Sequence, residues 1–585
     1  MLGVVDRILT QLTSFDFWFV MGLLVIGLGG VYYFGQTIED GNKKAKFQLL
    51  FVGALFLIGV FEITIHQLFF SPYYIFPREA AGVLILRIEG DDTKNSLQRD
   101  LLRTVNTALG EEASSFKIEV RPHNKNVSED LGLAQAHQQA RRFGKNSNAK
   151  LVIWGAQVGD KKFHPRLTVV DDQPRAAKLA DRTMAAQNLS EVNLTAESVN
   201  DPIYVTHFVA GYILFDREDF AAALAHFKAV LAQPGANAVE LNEIRYYAGK
   251  CHQYLAKGQK ESTWHLQQAI AYYDTVLGLY TKQSSPEKWA IVQHNLGNAL
   301  GLLPTGNRAK NLQQAIAAYE ASLRVFTEKA SPVNWANLQN SLGNAYADLP
   351  TGDLSQNLQK AIAAYNAALR VYTEKDYAVD WAGVQNNLGV AYLKLPTGDH
   401  SGNLQNAINA FETALKIYTE NDFPADWAMT QNNLGAAYAD LPSGDQSANL
   451  QKAIAAYEAA LRVRTEKDFP LKWAMTQNNL GIAYASLTTG DRMENLQKTI
   501  AAFEGALRVF TKEDFPSEWA STQNNLGNAY VELSANDRKV NLRQAIAYFE
   551  KALQIWTAAT FPEEHKMAAQ NLKDAQSQLQ KPAKK

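Results

Sequence analysis

Apolar residues fall along this chain in three regimes. Phe17–Phe34 carries no charged side chain, and a second apolar stretch, Phe47–Phe70, has ionisable residues only at Glu62 and His66. Stretches of this length cross a hydrocarbon core of about 30 Å, so a two-helix transmembrane hairpin is predicted over 1–76, with spans at 16–35 and 47–70. Between 80 and 172, short apolar runs alternate with helical periodicity. Strands are expected at 82–88, 116–120, 151–155 and 166–170, and helices at 95–109 and 128–143, the β-α-β-α-β-β order of a small α/β domain. A polar, alanine-rich linker (173–203) follows. From 204 to 579 the pattern is helical throughout, and a short basic tail (580–585) ends the chain.

The helical part is an array. Trp289, Trp335, Trp381, Trp427, Trp473 and Trp519 stand 46 residues apart, each opening a phrase like Trp427-Ala-Met-Thr-Gln-Asn-Asn-Leu-Gly-Ala-Ala-Tyr438. A period of this size marks a solenoid, in which each unit buries its apolar face only against its neighbours. Large aromatics recurring at one helical position are read as packing between repeats. Within each unit, Leu-Pro-Thr-Gly-Asp or a variant (Leu349–Asp353, Leu395–Asp399, Leu441–Asp445) and then Asn before Leu (Asn357, Asn403, Asn449) predict a turn and a helix N-cap. Pro286, Pro332, Pro424, Pro470, Pro516 and Pro562 belong in the first turn of the next helix, where Ala378 departs from the pattern.

Aligned on Gly435, Leu434 precedes the small residue, Tyr438 follows three later, and Ala453, Tyr457 and Ala460 make a small-large-small pattern in the second helix. The set recurs around Gly297, Gly343, Gly389, Gly481 and Gly527. It resembles the tetratricopeptide repeat (TPR) family, in the long-repeat form seen in kinesin light chain. The resemblance implies a right-handed α-solenoid of about eight helix pairs closed by a polar capping helix at Pro562–Leu579. The fold class expected for the whole chain is therefore mainly α: hairpin, small α/β domain, TPR solenoid. The middle segment, with Ala134, Ala136 and Ala140 in a helix before the strand Leu151–Gly155, resembles the N-terminal domain of TolB-type proteins at the level of fold.

In the TPR family the first helix of each pair (helix A) lines the inner groove with the residues two and three before its small Gly. Here those positions hold His294, Asn340, Asn386, Asn432, Asn478 and Asn524 in one row, and Asn295, Ser341, Asn387, Asn433, Asn479 and Asn525 in the other. Packed helices lie about 8–10 Å apart and an extended peptide advances about 3.3 Å per residue, so one Asn per repeat meets every third peptide group. An amide side chain both donates and accepts, matching a peptide group without reading its side chain. The expected ligand is a protein or peptide segment. The competing reading is that asparagines directly before Leu-Gly bond within the repeat. Lys394 is the one obvious groove cation, too few for a reader of C-terminal carboxylates.

Charge changes this picture little. Net charge is -2, so no basic field recruits nucleic acid. The one cysteine, Cys251, excludes a disulfide framework and a cysteine-rich zinc site. No metal, cofactor or catalytic constellation is expected, and the chain reads as a binding protein rather than an enzyme. Lys43, Lys44 and Lys46 in the hairpin turn outnumber the cations flanking it (Arg7 before the first span, Arg78 and Arg87 after the second), which places the turn in the cytoplasm and the solenoid outside, on the periplasmic side of a bacterial inner or plasma membrane. Glycines in the first span permit homo-oligomers through the hairpin. Two readings stand: a membrane-anchored scaffold, or an effector whose hairpin, with Glu62 and His66 one helical turn apart, opens a pore.

Overall fold

The structure is a computed structural model, described for residues 81–85, 118–122, 139–140, 151–158, 162–169, 191–193, 202–232, 241–256, 262–533 and 537–580. The chain divides into two compact units, one with the sheet and the first helix pair, the other with the helices from Arg245 onward. The expected spans 16–35 and 47–70, with Glu62 and His66, lie outside the described residues, among which no helix is long and apolar enough to cross a membrane.

Five strands form one sheet in the order β2-β1-β3-β4-β5: β1 (Ala81–Ile85), β2 (Ile118–Pro122), β3 (Leu151–Val158), β4 (Lys162–Val169) and β5 (Glu191–Asn193). β1 pairs in parallel with β2 and β3, while β3–β4 and β4–β5 are antiparallel. The β3–β4 hairpin is longer than the apolar runs suggest, because Gln157 pairs with Phe163 and Val158 with Lys162 beyond them. β5 falls inside the predicted linker: three residues with only Val192 apolar carry no strand signal until an edge is there to pair with. Of the helices expected in this region, only Gln139–Ala140 is described.

From residue 202 the described chain is helical. The helices are α1 (Pro202–Asp216), α2 (Phe220–Leu231), α3 (Asn242–Leu255), α4 (Ser262–Leu277), α5 (Pro286–Leu302), α6 (Arg308–Leu323), α7 (Pro332–Ala347), α8 (Leu354–Ala368), α9 (Ala378–Lys394), α10 (His400–Ala414), α11 (Pro424–Asp440), α12 (Gln446–Val463), α13 (Pro470–Ser486), α14 (Arg492–Leu507), α15 (Pro516–Glu532), α16 (Arg538–Ala552) and α17 (Pro562–Gln580). Odd and even helices alternate as helix A and helix B of successive pairs. The Gly of each A helix sits against an aromatic of its B helix: at Gly389 an added Cβ would lie 2.6 Å from Phe411 Cε1, and Gly435 faces Tyr457 in the same way. Gly249 also meets Tyr273. This pair stands 24 residues apart in the sequence, against 22 for Gly435 and Tyr457, and the two extra residues lie between the positions without changing the contact.

The repeated turns explain the 46-residue length. In Leu-Pro-Thr-Gly-Asp the glycines take φ of +85° at Gly352 and +88° at Gly398, a left-handed conformation costly for other residues. The N-cap is the Asp: Asp353 Oδ1 accepts from Gln356 N–H at 2.9 Å. The following Asn braces the loop instead. Asn357 Nδ2 donates to the carbonyl of Thr351 at 2.9 Å, and Asn403 and Asn449 do likewise to Thr397 and Ser443. The prolines open their A helices at the first position, where no N–H is needed.

The tryptophans are packing residues. Trp427 and Trp473 are buried, and the guanidinium of Arg462 lies 5.0 Å from the Trp427 ring centroid while pairing with Glu420. Arg370 on Trp335 with Glu328, and Arg508 on Trp473 with Glu466, repeat the clamp from the end of the following B helix. Lys416 and Gln554 occupy the Arg position elsewhere.

Candidate functional site

Successive A helices touch side by side, and the two polar rows meet across that contact. Asn387 Nδ2 donates to Asn340 Oδ1 at 3.2 Å and to Asn344 Oδ1 at 3.1 Å. Asn433 Nδ2 donates to Asn386 Oδ1 at 3.3 Å, and Asn571 Nδ2 to Asn524 Oδ1 at 3.1 Å. A threonine of the next A helix adds a second contact: the Oγ1 of Thr430, Thr476 and Thr522 lies 3.2, 3.0 and 3.2 Å from Oδ1 of Asn386, Asn432 and Asn478. Each of these hydroxyls also lies 2.8 Å from the carbonyl four residues back.

The carbonyl end of the first row therefore ties neighbouring repeats together. The amide nitrogens of Asn340, Asn432 and Asn478 have no hydrogen-bond partner among the described residues, and these side chains are half-buried. Asn386 and Asn524 are buried, each 2% exposed. Asn479 and Asn525 are half-buried and make no side-chain hydrogen bond among the described residues. Asn478 and Asn479 line a hollow of about 280 Å³ between α13 and α15, together with Ser521, Thr522, Glu518 and Phe510. The threonines and Asn571 were not legible as partners of the rows. The signal available was Thr at the third position after Trp in three successive repeats, where earlier repeats carry Val292, Leu338 and Val384.

At the N-terminal end of the rows the chemistry changes. His294 is buried, with Nε2 3.1 Å from Ser341 Oγ, and Asn295 Nδ2 donates to Tyr246 Oη at 3.2 Å. Burial, with the Lys250 ammonium adding to it, lowers the His294 pKa to about 4. Lys250, beside the rings of Tyr246 and Tyr254, is itself lowered to about 7 by burial. Because the folded His294 pKa lies below its ordinary 6.5, the unfolded chain takes up the proton first as pH falls. The resulting stability is fully present above about 6.5 and is lost as pH drops toward 4. His294→Asn, the residue of the other rows, is expected to flatten the fall in urea midpoint between pH 7 and 4.5. An equally steep fall in the variant would rule out His294 as the source.

These helix pairs, with Gly-on-aromatic packing and A helices laid side by side, define a TPR-like repeat solenoid. Residues 324–513 match the family Soluble NSF attachment protein, SNAP. No curated protein matches the sequence. Among solved structures, the apo form of RapI is similar at 16% identity over 64% of this chain and 98% of its own, with a TM-score of 0.41. The apo form of the quorum sensor NprR from B. thuringiensis is similar at 14% identity over 64% and 97%, with a TM-score of 0.39. A tetratricopeptide repeat protein from Parabacteroides merdae shows 13% identity over 63% and 100%, with a TM-score of 0.27.

Proposed function

We propose that this protein is a membrane-anchored, non-enzymatic scaffold whose A-helix face holds an extended segment of a partner protein. Its repeats are of the long TPR type. Attachment runs through residues 16–35 and 47–70 of a bacterial membrane, with the solenoid on the outer side, and the sequence alone supports that part of the proposal. The observation that carries the binding reading is the division of labour in the first row. Oδ1 of Asn432 and Asn478 is engaged by the threonine of the next repeat, while Nδ2 of each has no partner among the described residues. A carbonyl oxygen of an extended peptide is the acceptor that a row of amide N–H groups without such a partner suits.

Asn432→Asp with Asn478→Asp tests this. A carboxylate still accepts from Thr476 and Thr522, so the repeats stay stapled, but it offers nothing to a peptide carbonyl. The full-length chain in detergent is used to select from a random dodecapeptide library. The double variant is expected to keep its helical signal and bind the selected peptides about tenfold more weakly or worse. Undiminished affinity in a folded double variant would falsify the groove.

A further inference from the structure

One step of the solenoid departs from the others in charge. The position three or four residues after the end of helix B is aromatic and buried in six repeats: Tyr280, Phe326, Tyr372, Tyr418, Phe510 and Trp556. In the remaining repeat the corresponding residue is Arg464, 7% exposed. The residue before each tryptophan is Lys288, Asn334, Asp380, Asp426, Lys472 and Glu518 in turn, so the acid of the repeats on either side is replaced by Lys472 here, and a lysine at this position recurs only at Lys288, beside the aromatic Tyr280. Tyr372/Asp380, Tyr418/Asp426 and Phe510/Glu518 thus pair an aromatic with an acid, whereas Arg464/Lys472 places two cations.

The hollow between α13 and α15 shows where these positions point, since Phe510 and Glu518 line it beside Asn478, Asn479 and Thr522. One repeat earlier, between α11 and α13, the corresponding residues are Arg464, Lys472, Asn432, Asn433 and Thr476. Arg464 Nη1 donates to Thr476 Oγ1 at 2.9 Å, and that hydroxyl, whose proton is shared between the Lys472 carbonyl at 2.8 Å and Asn432 Oδ1 at 3.0 Å, sits between the guanidinium and the asparagine row. No carboxylate forms an ion pair with Arg464 among the described residues; burial alone pushes its pKa down, to about 10, and it stays charged at neutral pH. A buried cation held by one hydroxyl is unfavourable until a counter-charge arrives. Leu471 and Met475 of α13, 41% and 51% exposed, add exposed apolar side chains, Met475 also lining the α13–α15 hollow.

We infer that the α11–α13 step is an acid-specific subsite: Arg464 and Lys472 receive the carboxylate of an Asp or Glu side chain within an extended bound peptide, with apolar residues beside it on Leu471 and Met475. This deepens the groove reading and rests on it. A guanidinium suits a carboxylate through paired N–H donors, and a charge-assisted bond exceeds a neutral one.

The test uses the same dodecapeptide library, displayed without free C-termini, on the full-length chain. Wild-type ligands are expected to share one fixed Asp or Glu next to apolar residues, and replacing that acid by Ala should cost about 10- to 100-fold in affinity. Arg464→Tyr installs the residue of the preceding repeat, Tyr418, so its fold is expected to hold; it should still select peptides, with no acid preference. Lys472→Glu, a change at an exposed position, should disfavour the acid outright, and it serves if the Arg464 variant does not fold. Recovery of no peptide by wild type sinks the groove and this inference together. Peptides without a fixed acid, or an acid preference unchanged in both variants, overturn this inference alone.

Discussion

Phe411→Ala is expected to cost about 3–5 kcal/mol and to uncouple the array near its middle. The ring is fully buried, packed on Gly389 of its own pair and among Leu404, Ala407, Ile408, Leu434, Ala437 and Leu441, so it bridges α9 and α10 to the following A helix, α11. Removing it leaves a cavity where glycine offers no side chain to fill it. In a solenoid each repeat contacts only its neighbours, so the loss acts locally first. Urea unfolding followed by circular dichroism should show a lower midpoint and a broader transition. Hydrogen exchange should accelerate in α9–α12 before the distal helices. A midpoint shift worth under about 1 kcal/mol would mean that the pair relaxes around the void.

The second large effect comes from the opposite change. At Gly481 an added Cβ would lie 2.7 Å from Phe503 Cε1, and Phe503 is buried at 1% exposure. Gly481→Val therefore forces α13 and α14 apart, at about 3 kcal/mol, the upper end of ordinary overpacking. The diagnostic is coupling. Combining Gly481→Val with Phe503→Leu should recover part of the loss, because the shorter side chain vacates the space the valine needs. Strictly additive losses would show that the ring is not what the valine meets.

Much of this was legible because it is local or strictly periodic. The Pro at the first helical turn and the Gly-Asp turn before each B helix follow from backbone rules acting over a few residues. The role of the turn asparagines was less legible. Asn357 looks like a cap by residue type, but Asp353 already holds that place, leaving the amide to reach back to the loop carbonyls. Asn and Asp both satisfy local backbone groups, so residue type alone does not assign them.

The asparagine rows mark the boundary most clearly. Their positions on the A helices follow from the 46-residue period, but Asn433 bonds to Asn386, 47 residues away, and Thr476 to Asn432, 44 residues away. Offsets of this kind come from the stagger between packed helices. The sheet is similar: apolar runs locate β1 to β4, whereas the order β2-β1-β3-β4-β5 and the short β5 exist only through pairing. The amino-acid pattern by itself determined the repeat, its helices and its turns, since those are set by local sterics and hydrophobic period. Tertiary structure decided which end of each asparagine is used between repeats, because a hydrogen bond is chosen by the atoms that neighbouring helices bring within reach.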